Sequence, residues 1–373
     1  MASSFYLLIT TLAVGLFFGG YIVMERITSI SLCMIVKNEE VFLDAALKSA
    51  RSVLGLGDMI VVDTGSTDRT KDIAMANGAN VYDFEWCDDF SAARNFSADK
   101  AKNDWVLALD ADEEITKADI AELEALTKDI HAVGTILAIE MTDKSSFPIS
   151  RLYNRKKYRF DGIIHEQLVP IGDHQKVLRD SSVHIAHFGY DQEFKKAKGK
   201  FERNEGLLLK ALAVDPYDPY MLYQLGKCYS DDKRNLLKAC ELFERALSLT
   251  SDFDCGYVYN MIECYGYALL NTEQYEKALN LRNVFAKQYE GIPQFRFLSA
   301  HIFQNSGMLI EAVECYESCL GADVVDYKGI TSYLSYYNMG VILECVGMVD
   351  DAIEMYKNCG DYDYALKRLA ELT

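Results

Sequence analysis

The chain has 373 residues, of which half are hydrophobic, 12% aromatic and 25% charged, a composition that supports packed cores and carries no signature of disorder. This length corresponds to roughly two to three domains. The formal charge of −18 at pH 7 argues against a general nucleic-acid-binding protein, because attraction to phosphate requires a basic face. The ten cysteines have neither Cys-x-x-Cys nor zinc-type spacing, which favours reduced thiols in a cytosolic chain over a disulfide framework.

The amino terminus carries an uncharged hydrophobic run from Phe5 to Met24, about the length that spans a bilayer. A basic region before this run and a cleavage site after it, which mark a signal peptide, are missing. We therefore expect residues 1–26 to be a hydrophobic leader or membrane anchor, with the rest of the protein cytoplasmic and tethered to the cytoplasmic face of the membrane. The alternative is that translation starts at Met24 and the protein is not tethered.

Residues 27–194 alternate short apolar runs with amphipathic segments. This alternation predicts an α/β domain with a Rossmann-like, mostly parallel sheet. The predicted strands are Ile30 to Val36, Met59 to Asp63, Val81 to Phe84, Trp105 to Leu109 and Ile136 to Met141.

Polar side chains follow three of these predicted strands: Asn38, Asp63, and the pair Asp110 and Asp112. Open α/β sheets bind ligands at the carboxyl ends of their strands. On an extended backbone, Asp110 and Asp112 point the same way and can share one hard cation such as Mg²⁺ or Mn²⁺. An acidic first turn of a helix is the alternative for this pair. Gly-rich dinucleotide and Walker motifs are absent from the sequence, which leaves a sugar-nucleotide site as the interpretation.

Four segments together resemble the family-two, GT-A-type glycosyltransferases: Cys33 to Glu40, Val62 to Asp68, Asp89 to Asn95, and Leu109 to Glu113. Within that family, the chain is similar to a bacterial branch with tetratricopeptide-like repeats, which includes S-glycosyltransferases that act on glycocin peptides. The resemblance implies a nucleotide-diphosphate sugar as donor, with a UDP-sugar expected. It places Asp63 and Asp68 near the base and the ribose, Arg94 near the nucleotide, Asp110 on the ribose or the metal, and Asp112 on the metal. Asn38 and Ser66, in the same loops, are further candidates for binding the nucleotide sugar. The commoner family pattern has two consecutive aspartates where this chain has Asp63 and Thr64, so the second base contact lacks its usual residue.

Two further stretches supply candidate catalytic and metal-binding residues. Arg151 or Arg159 is expected to face the donor phosphates, with a solvated loop as the alternative for this basic cluster. In Phe160 to Glu166, His165 or Glu166 is a candidate general base, and similar family members carry a Phe-x-Gly-x-x-His-Glu stretch here. The family commonly adds a late histidine to the metal site, and His187 matches that position. An imidazole beside carboxylates favours Mn²⁺ over Mg²⁺.

Residues 195–373 are helical in period and contain a recurring alanine. Ala239, Ala278, Ala312 and Ala352 fall 39, 34 and 40 residues apart, near the tetratricopeptide period of about 34 residues. The pattern predicts an all-α domain of stacked helix-turn-helix repeats whose concave face binds a peptide or a second copy of the chain.

These observations predict a metal-dependent, inverting glycosyltransferase. It would move a sugar from a nucleotide-diphosphate donor to a peptide side chain or to a cell-envelope acceptor. The alternative from another class is a catalytically inactive repeat scaffold whose α/β half still binds nucleotide.

Overall fold

The computed structural model describes residues 29–141, 145–188, 199–232, 235–321 and 329–373. These residues form two compact units. The first contains the described residues up to 139 together with 146–161 and 167–188, and the second contains the helices that begin at Lys200. The described residues 140, 141 and 145 and the segment 162–166 group with the helical unit although they lie within the α/β half of the sequence.

The first unit begins with alternating strands and helices. Its elements are β1 (Ile30–Val36), α1 (Leu43–Leu54), β2 (Met59–Asp63), α2 (Thr70–Ala76), β3 (Asn80–Asp83), α3 (Phe90–Lys100) and β4 (Trp105–Ala108). Strands β1, β2 and β4 are almost completely buried, as expected for apolar runs in a sheet covered on both faces.

The second half of this unit is richer in strands: β5 (Glu113–Lys117), α4 (Ile120–Leu126), β6 (Ala132–Glu140), β7 (Ser146–Asn154), β8 (Tyr158–Asp161), β9 (Gln167–Pro170) and β10 (Val177–His187). Eight strands form one sheet in the order β3-β2-β1-β4-β7-β6-β10-β5, and β8 pairs with β9. Strands β3, β2, β1 and β4 are parallel, and β7 joins β4 in the antiparallel direction. The alternation of strands and helices correctly predicted the parallel part of the sheet.

The acidic stretch after β4 does not begin a helix. Glu113 starts β5, which pairs with the end of the long strand β10 in an antiparallel register. The alternative of an acidic first turn is therefore wrong. Pairing with β10 supplies backbone hydrogen bonds that outweigh the preference of acidic residues for a helix start.

The second unit is all-helical. It contains α5 (Lys200–Val214), α6 (Pro219–Asp232), α7 (Leu236–Leu249), α8 (Gly256–Asn271), α9 (Tyr275–Tyr289), α10 (Pro293–Asn305), α11 (Leu309–Cys319), α12 (Tyr333–Cys345), α13 (Val349–Lys357) and α14 (Asp363–Leu372). The pairs α6 with α7, α10 with α11 and α12 with α13 pack most extensively. The predicted architecture, an α/β domain followed by helical repeats, is confirmed.

Small residues allow these helices to pack closely. The four periodic alanines, Ala239, Ala278, Ala312 and Ala352, are all fully buried. Gly226 on α6 faces the ring of Phe243 on α7 so closely that an added Cβ would lie 2.8 Å from it. The recurring alanines therefore mark helix-packing positions, as the repeat interpretation requires.

No helix among the described residues is long and apolar enough to cross a membrane. The predicted anchor, Phe5 to Met24, lies outside the described residues.

Candidate active site at the carboxyl end of the parallel strands

The loops that follow β1 and β2 are bonded to each other. The backbone N–H of Asn38 donates to Ser66 Oγ at 2.9 Å, and the Asn38 side-chain oxygen accepts from Thr67 N–H at 2.8 Å. Asn38 has a left-handed backbone with φ of 56°, which asparagine tolerates better than most residues. The structure thus brings together two of the residues predicted to bind the nucleotide.

Asp63 ends β2 and is only 1% exposed. Its Oδ1 accepts from the backbone N–H groups of Gly65 and Ser66 at 3.0 and 2.9 Å. Its Oδ2 is buried and has no hydrogen-bond partner among the described residues. Asp68 accepts from the backbone N–H groups of Glu40 and Thr70. Asp63 therefore has one buried acceptor that the described residues leave unsatisfied.

Asp110 holds two buried arginines. Arg94 on α3 donates to Asp110 Oδ1, and Arg151 on β7 donates to Oδ2, each at 2.8 Å. The arginine side chains are 8% and 12% exposed. Burial alone would raise the pKa of Asp110, but the two guanidinium groups hold that pKa well below its ordinary value. Both oxygens of Asp110 are therefore engaged in ion pairs.

Arg151 retains unused donor capacity. Its Nη1 is buried and has no hydrogen-bond partner among the described residues. A buried guanidinium normally has its N–H groups satisfied, so a spare donor at this edge of the sheet suits an anionic ligand. Arg159, the other candidate for the donor phosphates, is exposed on β8.

Glu113 connects the members of this cluster, although sequence reasoning gave it no role. Its Oε2 accepts the backbone N–H of Asp110 at 2.8 Å, and its Oε1 lies 4.0 Å from Arg151. Burial, followed by the negative charge of Asp110, raises the pKa of Glu113 above its ordinary value. Its only sequence signal is a glutamate directly after the acidic pair.

Asp112 and His187 form a second pair of side chains. Asp112 Oδ2 lies 3.4 Å from His187 Nε2, and the two side chains are 27% and 20% exposed. The backbone N–H of Phe188 donates to the Asp112 carbonyl at 2.9 Å, which fixes the end of β10 beside the acidic turn. The sequence prediction that His187 would lie at a strand end is correct, and His184 lies further back on β10.

The donor set tests the metal prediction. Among the described ranges, no group of three or more His, Cys, Asp or Glu side chains is arranged to hold a metal ion. Asp112 and His187 supply one carboxylate and one imidazole that are close together and partly exposed, which suits a divalent cation whose other ligands come from a diphosphate. Asp110 fits this set less well, because both of its oxygens are bonded to arginine.

His165 and Glu166 lie in the segment that groups with the helical unit. His165 has a left-handed backbone with φ of 53°, next to a turn in which Gly162 has φ of 100°. Burial lowers the pKa of His165 to about 4: its effect outweighs the negative charge of Glu166, which acts in the opposite direction, and the positive charges of Lys227 and Lys200 act with it. The imidazole is therefore neutral near pH 7, the state in which a histidine accepts a proton.

Comparison with known proteins identifies the domains. Residues 31–189 match the family described as Glycosyl transferase family 2, and residues 293–323 match a tetratricopeptide repeat. A TPR repeat-containing protein of Synechococcus elongatus is 35% identical over 53% of this chain and 51% of its own length. The glycosyltransferase SunS of Bacillus subtilis is 26% identical over 53% of this chain and 49% of its own.

An uncharacterized glycosyltransferase of Rickettsia conorii is 27% identical over 70% of this chain and 95% of its own length. The chain spans about half the length of the Synechococcus and Bacillus relatives. Among solved structures, the TPR protein YrrB, described as having an unusual peptide-binding site, has 23% identity and a TM-score of 0.38. The match covers 47% of this chain and 87% of the YrrB chain. The family matches confirm the predicted combination of a family-two domain and repeats.

Proposed function

Because residues 31–189 form a family 2 glycosyl transferase domain, we propose that this chain is a metal-dependent, inverting glycosyltransferase that uses a nucleotide-diphosphate sugar. The observation that carries the proposal is the pair of buried arginines on Asp110, followed two residues later by the Asp112 and His187 pair. This arrangement offers cationic donors and metal ligands to one diphosphate group. A UDP-sugar is the expected donor.

The nucleoside end of the donor is assigned to the loops after β1 and β2. Asp63 has one buried oxygen that can accept an N–H or O–H group from the base or the ribose. Ser66 and Asn38 hold the two loops together, and Asp68 braces the start of α2 through Thr70. In this assignment, Asp63 contacts the nucleoside and the other three residues shape its pocket.

The diphosphate end is assigned to Arg151 and Arg94. Breaking the bond between the sugar and the diphosphate leaves negative charge on the leaving group, which fixed cations stabilise. Arg151 has an unused buried donor, and Asp110 keeps both guanidinium groups in place before the donor arrives. Donors that are already positioned need no reorganisation during the reaction.

Asp112 and His187 are the residues proposed to hold Mn²⁺ or Mg²⁺. A bound divalent cation would supply further charge neutralisation for the diphosphate. Asp112 and His187 can orient such an ion because backbone hydrogen bonds fix His187 at the end of β10 and Asp112 in the turn just before β5. Asp110 then serves mainly to hold the arginines.

For the acceptor, His165 or Glu166 is proposed as the general base that removes its proton. Near pH 7 the imidazole of His165 is neutral and can accept a proton, because burial holds its pKa at about 4. The acceptor is a peptide side chain or a cell-envelope glycan or lipid. The helical unit is proposed to help capture a peptide acceptor, and a homodimer formed through the repeats is an alternative use of the same unit.

A screen of nucleotide sugars for hydrolysis with Mn²⁺ tests the proposal without a known acceptor. We expect one donor to be hydrolysed faster than by buffer with Mn²⁺ alone, and Asp112→Ala to abolish that difference. Glu114→Gln is the matched control, because Glu114 neighbours the site in sequence but makes none of its contacts in the described structure. Nucleotide binding without hydrolysis of any donor would instead support the inactive scaffold.

A further inference from the structure

A cavity of about 260 Å³ lies within the helical unit, between α9, α10 and α11. It is separate in sequence from every residue assigned to the donor, the metal or the general base. Its lining includes Arg282, Glu290, Phe295, Arg296, Ser299 and Cys315.

The charged groups of this cavity do not balance. Arg296 donates to the backbone carbonyls of Glu290 and Ser318 at 2.6 and 2.7 Å, so its partners carry no charge. Arg282 meets the Glu290 carboxylate only at 3.4 Å. Two guanidinium groups and one carboxylate leave a net positive charge of one in the lining.

The cavity also has polar groups without partners. Ser299 is 2% exposed, and its Oγ has no hydrogen-bond partner among the described residues. The Nε of Arg282 is likewise buried without a partner there. Most buried polar groups in proteins are hydrogen-bonded, so these two atoms mark a side of the cavity where the packing leaves polar groups unsatisfied.

We propose that this cavity binds a small ligand through a single carboxylate. A guanidinium group can donate two parallel hydrogen bonds to the two oxygens of a carboxylate. Arg282 already contacts one carboxylate in the cavity, that of Glu290. The carboxylates of Glu290 and Glu314, which act on Cys315 beside the two arginines, favour a monoanion over a phosphate dianion. Phe295, which is 1% exposed, gives the cavity an apolar wall for a few carbon atoms.

The volume agrees with such a ligand. At roughly 30 Å³ per water in the liquid, the cavity is equivalent to about nine waters, which suits a carboxylate with a short carbon chain. The carboxylate can belong to a free organic acid or to the end of a peptide. Both sources share the chemistry that the two arginines recognise.

Cys315 provides a reporter inside the cavity lining. Iodoacetate carries a carboxylate and iodoacetamide does not, yet both alkylate the thiolate: the sulfur displaces iodide, an S–C bond forms, and the thiol proton goes to solvent. Burial raises the pKa of Cys315, which slows both reagents equally. The ratio of the two labelling rates therefore isolates recognition of the carboxylate.

The test compares this ratio at Cys315 with that at the exposed Cys345 in the full chain, by peptide mass spectrometry. We expect the ratio of iodoacetate to iodoacetamide labelling to be at least about tenfold higher at Cys315, a preference of about 1.4 kcal/mol. Arg282→Gln and Arg296→Gln should each lower it towards the Cys345 value. Arg245→Gln, at an exposed arginine on α7, should leave it unchanged.

Equal ratios at the two cysteines would overturn the proposal, and so would a high Cys315 ratio that persists in both arginine variants.

Protection of Cys315 from alkylation by an added compound distinguishes the two sources of the carboxylate. Protection by propionate alone assigns a free acid. Protection by N-acetylglycylalanine, and not by its amide, assigns a peptide end. Failure of both compounds to protect Cys315 would also contradict a carboxylate site.

Discussion

The Oε2 atom of Glu113 accepts a hydrogen bond of 2.8 Å from the backbone N–H of Asp110. In return, the N–H of Glu113 donates to the Asp110 carbonyl at 3.2 Å. These two bonds close the turn that carries Asp112 and begins β5. One glutamate therefore sets the position of both the arginine-holding carboxylate and the proposed metal ligand.

Replacing Glu113 should weaken nucleotide binding, because Glu113 closes the turn between Asp110 and β5. In Glu113→Ala, the buried N–H of Asp110 loses its acceptor, a change that costs about 1–3 kcal/mol. We expect the Kd for UDP, measured by calorimetry, to rise roughly tenfold or more. Glu113→Gln keeps a carbonyl oxygen for the Asp110 N–H and should recover most of the affinity. Failure of Glu113→Gln to recover affinity would mean that its charge, and not its hydrogen bond, matters.

Asp112 and Arg151 should have separable effects on donor binding. Asp112→Ala should abolish the gain in UDP affinity that Mn²⁺ provides and leave binding in EDTA nearly unchanged. Arg151→Gln should weaken binding by a similar factor in Mn²⁺ and in EDTA, by about 10- to 100-fold for a charged hydrogen bond. Calorimetry in the two buffers checks both. A normal Mn²⁺ effect in Asp112→Ala would remove Asp112 from the metal site.

If His165 is the general base, His165→Ala should lower turnover by about 10²–10⁴-fold with little change in donor affinity. The pKa of His165 is about 4, so the imidazole stays neutral as pH falls from 7 to 5. The pH profile of kcat/KM should therefore stay flat over that range and decline only near pH 4. An acid limb centred near pH 6.5, lost in His165→Ala, would show an ordinary histidine pKa instead.

His301 should make the stability of the helical unit depend on pH. It lies among the rings of Phe297, Tyr267 and Tyr316, and burial lowers its pKa to about 4. Below about pH 6.5, the imidazole of His301 is protonated in the unfolded chain but stays neutral in the folded chain. The free energy of unfolding therefore falls as pH drops towards 4. This residue should account for a loss of about 2 kcal/mol between pH 7.5 and 5.

Chemical denaturation of the wild type and of His301→Gln at pH 7.5 and pH 5 measures the contribution of His301 to this loss of stability. The variant should show a smaller loss of stability on acidification. Identical losses in the two proteins would contradict the burial effect on His301.

Gly226→Ala should destabilise the first repeat. A Cβ at this position would lie 2.8 Å from the Phe243 ring, and overpacking of this kind costs about 1–3 kcal/mol. Gly206 on α5 is the matched control, because a Cβ there meets nothing within 4 Å. Gly206→Ala should stabilise by about 0.5–1 kcal/mol through the better helix propensity of alanine. Thermal unfolding measures both, and equal shifts would show that Gly226 is not a packing requirement.

The sequence predicted the first strands accurately where apolar runs were continuous. Ile30–Val36 and Met59–Asp63 were located to the residue, because their side chains are buried on both faces and polar residues bound them. Strand β5 was missed. Its residues Glu113 to Lys117 are mostly polar, and only pairing with the distant strand β10 makes them a strand.

The site was predicted in its parts but not in its pairings. Asp110, Arg94 and Arg151 were each identified as candidates, yet Asp110 meets Arg94 on α3, 16 residues away, and Arg151 on the antiparallel strand β7, 41 residues away. Local patterns carry no information on such distances. The grouping of His165 with the helical unit also depends on tertiary contacts and could not be read from the sequence.

The backbone N–H of Phe188 donates to the Asp112 carbonyl, so the surroundings of Asp112 are completed late in the synthesis of the chain. The loops that carry Asn38, Asp63 and Asp110 leave the ribosome early, whereas His187 and Phe188 come from the last strand of the domain. A nascent chain halted before β10 would have the nucleoside loops but no partner for Asp112. The proposed metal pair is thus completed by the final segment of the α/β unit to be synthesised, so an incomplete domain cannot assemble it.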